Sequence, residues 1–220
     1  MGARVRNERV YVRPRTSDMA VFRQIFKKEE YAKTRSLGKL DVVIDLGANV
    51  GYSAAYFLSQ FPGCRVIAVE PDPENFAMLV KNLEPYGKRA TCVHAGVWSH
   101  SCHVRISEIP YRDNLEWSRH VVECAADAPG ALRGIGLRDL LDSHGVDRVS
   151  LLKCDIEGAE VALFGPSHKE WIGRIDAMAV ELHEDSMFGD GRAVFLQAMA
   201  GQPFSMEPSG EFTVCRRTGK

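Results

Sequence analysis

The chain has 220 residues, of which 45% are hydrophobic and 26% charged, with a formal net charge of −1. This length and composition fit one globular domain, and the near-neutral charge gives no electrostatic footprint for nucleic acid. No apolar run approaches the roughly 18 residues of a membrane span, and the N-terminus lacks the apolar stretch of a signal peptide. The six cysteines form no C-x-x-C pair, which predicts reduced thiols in a cytoplasmic protein.

Residues 1–40 precede the first core strand and are predicted to form an N-terminal extension. Within them, 16–32 has helical spacing and a predicted cap at Ser17 or Asp18. One stripe of this helix is apolar, which favours packing on the core over a mobile lid. The stripe consists of Met19, Phe22, Ile25 and Phe26.

Strands and helices then alternate along residues 41–220, the predicted catalytic domain. Short apolar runs predict strands at 41–49, 64–71, 90–98, 102–107, 148–156, 174–184 and 211–217. Helical spacing predicts helices at 51–61, 72–87, 136–145, 158–167 and 193–200. The alternation predicts an α/β fold whose mostly parallel sheet has helices on both faces. Residues 109–134 break the rhythm, as a loop inserted over a site would.

A glycine-rich turn follows the first core strand in "IDLGANVGYS" (44–53). Gly47 and Gly51 let the backbone approach a ligand and turn directly into a helix. Asp45 lies at the C-terminal edge of its strand, where ligands bind in open α/β sheets, and Glu70 ends the next strand. A carboxylate in the latter position suits the two hydroxyls of a ribose.

Two cofactors use such an arrangement. A dinucleotide needs G-x-G-x-x-G around its pyrophosphate, and here Asn49 stands where the second glycine belongs. Asp45 would repel a pyrophosphate but could pair with the cationic amino-acid end of S-adenosylmethionine. The methyl donor is therefore favoured over a nicotinamide-dependent oxidoreductase and over a turn without a ligand.

The sequence resembles the FkbM-type S-adenosylmethionine-dependent methyltransferases of the Rossmann-like class I. The resemblance rests on "VVIDLGANVGYSA" (42–54), "VEPDPENFAMLVKNL" (69–83), "LLKCDIEGAEVALFG" (151–165) and "AVELHED" (179–185). It implies a seven-stranded sheet closed by an antiparallel hairpin, and methylation of an oxygen on a small molecule. The predicted cofactor-binding residues are Asp45, Gly47, Asn49, Gly51, Ser53, Glu70 and Asp155.

Ionisable side chains also end two later strands. With the period of two of a strand, Lys153, Asp155 and Glu157 share one face or edge. Glu181 and His183 have the same spacing on the next predicted strand. Five ionisable groups would be unfavourable in a buried core. Their convergence on one rim of a sheet is typical of a catalytic cleft.

Methylation of a hydroxyl needs a base or a metal ion, because an aliphatic hydroxyl is a weak acid. His183 is the favoured base, assisted by Asp155, Glu157 or Glu181. The alternative is Mg²⁺ held by Asp155, Glu181 and His183. A structural interpretation also stays open, in which Lys153 forms a buried ion pair with Glu157 or Glu181 and Glu160 supports the rim.

The sequence therefore predicts an S-adenosylmethionine-dependent O-methyltransferase that produces S-adenosylhomocysteine. Its expected partner is a small-molecule hydroxyl acceptor, such as a secondary metabolite, a polyketide or a sugar. Neither nucleic acid nor a membrane is an expected partner, and a homo-oligomer stays open. The alternatives are the nicotinamide-dependent oxidoreductase and a methyltransferase-like module without turnover.

Overall fold

The computed structural model describes residues 2–5, 8–109 and 119–219. The strands of these residues are β1 (Gly2–Val5), β2 (Glu8–Tyr11), β3 (Val42–Leu46), β4 (Arg65–Glu70), β5 (Ala90–His94), β6 (Gly96–Trp98), β7 (Cys102–Ile106), β8 (Val121–Cys124), β9 (Leu132–Gly136), β10 (Leu151–Cys154), β11 (Ala177–Glu181), β12 (Phe204–Ser209) and β13 (Phe212–Arg217).

Helices occupy much of the remaining described chain. The α-helices are α1 (Asp18–Phe26), α2 (Tyr52–Gln60), α3 (Pro73–Leu83), α4 (Leu137–Ser143), α5 (Glu160–Leu163) and α6 (Gly191–Met199). Short 3₁₀ helices span Ala32–Leu37, Glu84–Arg89, Pro166–Glu170 and Ile172–Arg174. None of the helices in the described ranges is long and apolar enough to cross a membrane.

Seven strands form the main sheet in the order β12-β13-β11-β10-β3-β4-β5. The neighbours from β11 to β5 are parallel, whereas β13 runs antiparallel to both β11 and β12. The predicted parallel-rich α/β sheet with a C-terminal antiparallel strand is confirmed. Strand order reverses between β3 and β10, and this switch point is where α/β sheets open a ligand crevice.

The two faces of the main sheet carry separate cores. Alternate residues of β3 show the division, because Val43 packs with α1–α3 while Ile44 packs with α4–α6. Phe22 and Phe26 of α1 contact Tyr52 and Tyr56 of α2, with centroid distances of 5.8 Å (Phe22–Tyr52) and 6.2 Å (Phe26–Tyr56). The apolar stripe of α1 therefore packs on the core, as predicted.

A second sheet of four strands, in the order β6-β9-β7-β8, was not predicted. The predicted strand at 90–98 is two strands, since β5 joins the main sheet and β6 joins the second one. The predicted loop 109–134 contains β8 and most of β9, and its residues 110–118 lie outside the described part. Strands β8 and β9 have only four and five residues, and their buried and exposed positions do not alternate regularly, so apolar periodicity does not mark them.

Two predicted strands end earlier than expected. The strand predicted at 148–156 ends at Cys154, and the strand predicted at 174–184 ends at Glu181. Ser17 is the N-cap residue of α1, one of the two predicted positions, although its side chain makes no capping hydrogen bond. Asp18 instead pairs with Arg13 at 2.8 Å, which fixes the strand-to-helix turn.

Gly47 lies where the turns after β3 and β10 meet. Its φ is +73°, and a Cβ atom there would lie 1.7 Å from the carbonyl oxygen of Asp155. A side chain is therefore excluded both by backbone conformation and by the neighbouring main chain. This glycine lets the two central loops touch.

Gly47→Ala is expected to lower the free energy of unfolding by about 2 kcal/mol or more, because overpacking and left-handed strain add. Affinity for S-adenosylhomocysteine should fall with it. Gly63→Ala is the matched control, since no atom lies within 4 Å of its added Cβ. Urea denaturation and calorimetry provide the measurements, and equal stability of the two variants would contradict the close approach.

Candidate active site

A cleft of about 280 Å³ opens at the carboxyl edge of the main sheet, around the switch point between β3 and β10. Its floor comes from the turns after β3, β4, β10 and β11. Its lining includes Gly47, Asn49, Ser53, Glu70, Lys153, Asp155, Glu157 and Glu181. The structure thus gathers most of the predicted site residues into one cleft.

Glu70 is held in place by backbone N–H groups. Asn49 N donates to its Oε2 at 2.8 Å, and Asp72 N donates to its Oε1 at 2.9 Å. Each oxygen keeps capacity for another donor, which is what two ribose hydroxyls require. Burial raises the pKa of Glu70 to about 7, against the opposing effect of these two hydrogen bonds.

The turn after β3 needs unusual backbone conformations. Asn49 has a φ of +50° and Gly51 a φ of +87°. Asparagine tolerates the left-handed region, and a Cβ on Gly51 would lie 2.8 Å from Leu79 Cδ1 of α3. Asn49 therefore replaces the expected glycine without changing the course of this turn.

Asp45 does not reach the cleft. It is fully buried, accepts a hydrogen bond from Ser53 Oγ at 2.6 Å and lies 3.3 Å from Lys153 Nζ. A buried carboxylate requires internal partners, and Asp45 has them. Asp45 is not among the described residues that line the cleft, and its direct contact with the cationic end of the cofactor stays a prediction. Ser53 and Lys153 stand between Asp45 and the cleft.

Lys153 joins the two central strands. In the register of the parallel pair it lies opposite Asp45, and its ammonium also donates to the carbonyls of Leu46 and Gly47 at 3.2 and 2.6 Å. Burial lowers the pKa of Lys153, but Asp45 and Asp155 outweigh it and keep the pKa above its usual value. The predicted pairs with Glu157 or Glu181 are replaced by pairs with Asp45 and Asp155.

Asp155 and Glu157 follow β10 in a turn and are not part of the strand. Glu157 has a φ of +52°, so the predicted strand alternation does not hold there. Both side chains nevertheless line the cleft. Asp155 lies 3.7 Å from Lys153, while Glu157 lies 3.4 Å from His183 Nε2.

Glu160 organises this turn from inside the protein. Its fully buried carboxylate accepts N–H groups of Ile156 at 3.0 Å and Gly158 at 2.8 Å. The same side chain lies 3.0 Å from His183 Nδ1. One carboxylate therefore fixes the turn that carries Asp155 and Glu157, together with the imidazole beneath it.

His183 is poorly placed to act as the predicted base. The residue is fully buried and lies outside the cleft lining. Burial lowers the pKa of His183, but its hydrogen bond to Glu160 and the nearby carboxylates raise it to about 9. The imidazole therefore carries its proton at neutral pH, and the prediction of a metal-free histidine base is not supported by this geometry.

Glu181 ends β11 and borders both the cleft and His183. Its Oε1 lies 3.6 Å from His183 Nε2. Burial, with a further contribution from Asp155, raises the pKa of Glu181 to about 9. Ligand atoms of Asp155, Glu181 and His183 all lie within 4.8 Å of one another, so the alternative metal-ligand set is brought together.

The sequence patterns do not predict the roof of the cleft. It is formed by α1, the residues after it, and the turn before β13, and includes Gln24, Ile25, Glu30, Tyr31 and Glu211. Gln24 Nε2 donates to Glu30 at 2.5 Å and to Glu211 at 2.7 Å, which ties the two parts together. No local motif marks such a contact, because its partners lie 187 positions apart.

The strand order and the acidic, glycine-containing rim define a Rossmann-like class I methyltransferase. The chain matches the methyltransferase FkbM domain over residues 45–200 and belongs to that family. Its cofactor class is accordingly S-adenosylmethionine, and the nicotinamide alternative is set aside.

Solved structures share the fold at low sequence identity. A proposed rRNA methylase from Clostridium thermocellum matches with a TM-score of 0.53 and 12% identity, over 95% of this chain and 99% of that one. The METTL16 methyltransferase domain matches with a TM-score of 0.50 and 12% identity, over 87% and 67% of the two chains. These similarities show the fold alone.

A curated relative matches over a short segment. Ribosomal RNA small subunit methyltransferase H from Streptomyces avermitilis is 39% identical over 54 residues, which are 24% of this chain. The segment spans 17% of that protein.

Glu160→Ala is expected to lower the free energy of unfolding by about 3–5 kcal/mol, because two N–H groups and an imidazole lose a buried partner. Glu170→Ala is the matched control, since Glu170 is exposed and pairs with Arg138 at the surface. Urea denaturation of both variants tests this, and equal losses would show that Glu160 is not an organising residue.

Glu70→Ala is expected to weaken S-adenosylhomocysteine binding about 10–100-fold, through loss of charge-assisted hydrogen bonds. The exposed Glu74, one turn away on α3, provides the control as Glu74→Ala. Calorimetry on folded variants is the measurement, and unchanged affinity in Glu70→Ala would refute the ribose assignment.

Proposed function

We propose that this methyltransferase transfers the methyl group of S-adenosylmethionine to a hydroxyl of a small molecule, such as a secondary metabolite, a polyketide or a sugar. The observation that carries the proposal is the meeting of Asp155 and Glu181 at the cleft, directly beside the turn after β3 (residues 47–51, here called the cofactor turn). Main-chain contact between Asp155 and Gly47 keeps the carboxylate of Asp155 next to that turn.

The chemistry assigns each group a task. The acceptor oxygen attacks the methyl carbon in line, the carbon–sulfur bond breaks, and its electron pair stays on sulfur in S-adenosylhomocysteine. The hydroxyl proton passes to a carboxylate of the cleft, and Asp155 and Glu157 are the candidate proton acceptors on its rim. Positioning of the two reactants supplies much of the rate.

The charge of the cleft supports a small acceptor over a nucleic acid. Among the described residues that line it, six are carboxylates (Glu30, Glu70, Asp155, Glu157, Glu181 and Glu211), and only Arg119 and Lys153 are cationic. Lys153 is already shared by Asp45 and Asp155. A polyphosphate backbone requires the opposite balance.

The roof supports the same conclusion through shape. Tyr31 is buried among Tyr56, Phe57 and Phe212, with ring centroids 5.2–5.8 Å away. The N-terminal segment is therefore anchored over the cleft and restricts it to ligands that fit beneath. A small molecule meets that restriction more easily than a folded RNA.

Incubation with S-adenosylmethionine labelled in its methyl group tests the proposal. We expect the label in the small-molecule fraction of a cell extract, and its release as methyl iodide by hydriodic acid, which cleaves methyl ethers. Asp155→Asn should reduce transfer about 10²–10⁴-fold, whereas Glu184→Gln, an exposed change nearby, should not. Label in the RNA fraction, or equal transfer by both variants, would contradict the proposal.

A further inference from the structure

A single imidazole lies among several carboxylates beneath the cleft. His183 is 3.0 Å from Glu160, 3.4 Å from Glu157 and 3.6 Å from Glu181. Asp155 completes the group on the cleft side, where it forms an ion pair with Lys153. Lys153 also forms an ion pair with Asp45, so negative charge is in excess in this group of side chains.

We propose that Asp155, Glu181 and His183 form a binding site for a divalent cation, with Mn²⁺ as the best-matched ion. Their ligand atoms lie within 4.8 Å of one another in the present arrangement. Metal–ligand distances of about 2.0–2.2 Å place donors roughly 3–4.4 Å apart, so small side-chain rotations complete the site.

The orientation of His183 supports this proposal independently of the charge. Glu160 contacts Nδ1, and Nε2 lies on the side of Glu157 and Glu181. A histidine that binds a metal usually donates its other ring N–H to a carboxylate, which fixes the orientation and the tautomer of the ring. A bound cation would displace the proton of the imidazole, because ligands bind metal in deprotonated form.

The donor set indicates the type of ion. Carboxylates suit Mg²⁺ and Mn²⁺, while an imidazole suits the transition metals. A site of two carboxylates and one imidazole therefore favours Mn²⁺ over Mg²⁺. Glu157, which also faces His183, is available as a further ligand or as a proton acceptor.

The site has a chemical use if the proposed O-methylation is correct, and the inference rests on that function only for this step. Asp155 and Glu181 line the cleft, so the cation would be accessible to an acceptor oxygen. Coordination lowers the pKa of a hydroxyl and orients it for attack on the methyl carbon. The metal alternative then replaces the histidine base that the sequence favoured.

The binding test uses the whole chain after treatment with EDTA and its removal, without cofactor or acceptor. Mn²⁺ is added, and electron paramagnetic resonance follows the signal of the free ion. We expect one strongly held Mn²⁺ per chain. Glu160→Gln should weaken it about 10–100-fold, and Glu181→Gln at least as much.

A second cluster provides the control. His100, Cys102 and Glu123 also place ligand atoms within 4.8 Å of one another, at the edge of the second sheet. His100→Ala should leave the strong site unchanged. Loss of that site in His100→Ala but not in folded Glu181→Gln, or absence of strong binding in the wild-type chain, would overturn the proposal.

Assays of methyl transfer distinguish a failure of the metal proposal from a failure of the proposed function. With labelled S-adenosylmethionine, EDTA should abolish transfer and Mn²⁺ should restore it. Full transfer in excess EDTA would refute the catalytic role of the cation while leaving O-methylation intact. Strong Mn²⁺ binding that Glu181→Gln removes, without transfer to any small molecule, would support the site and refute the proposed function.

Discussion

The ion pair between Lys153 and Asp45 is the contact on which the rest of the site depends. It joins β10 to β3 at the position where strand order reverses, with both side chains almost wholly buried. The same ammonium binds the carbonyls of Leu46 and Gly47, so it also fixes the start of the cofactor turn. Removing either partner would leave a buried charge without its nearest counter-charge, which is costlier than the pair itself. The cofactor turn is thus held by this buried ion pair and by contact with the backbone of Asp155.

A second buried carboxylate plays the corresponding part for the turn after β10. Glu160 holds the turn after β10 through two N–H groups, and it holds His183 through its ring nitrogen. Asp155 and Glu157 owe their positions to this turn, in which Glu157 has a positive φ. The two buried acids, Asp45 and Glu160, organise the site without lining it. The acids that reach the cleft are therefore held by groups that a ligand never meets.

The sequence predicted the parallel strands of the main sheet, the antiparallel strand β13 and the edge where the site lies, but not β12. Alternation of apolar runs placed β3, β4, β10 and β11, and their polar ends had to meet because parallel strands share a carboxyl edge. Partner choice was harder, since Lys153 could be matched with Asp45 only once β10 and β3 were known to be neighbours. His183 was assigned from its intrinsic pKa, whereas burial and Glu160 decide its state. The second sheet and the roof depend on contacts between distant segments, which periodicity does not record.

The acidity of the cleft connects its cofactor, its proposed metal and its acceptor. Carboxylates facing one another are unfavourable when all are ionised, so a cleft lined by them gains from a positive group. The sulfonium of S-adenosylmethionine supplies one such charge, which is lost when the methyl group leaves. The carboxylates then interact less favourably with the product than with the methyl donor, which helps release of S-adenosylhomocysteine. A divalent cation below Asp155 and Glu181 would keep the acceptor end neutralised throughout this change. In the proposed reaction, the charge of the bound cofactor would change in each turnover, whereas the charge beside the acceptor would stay constant.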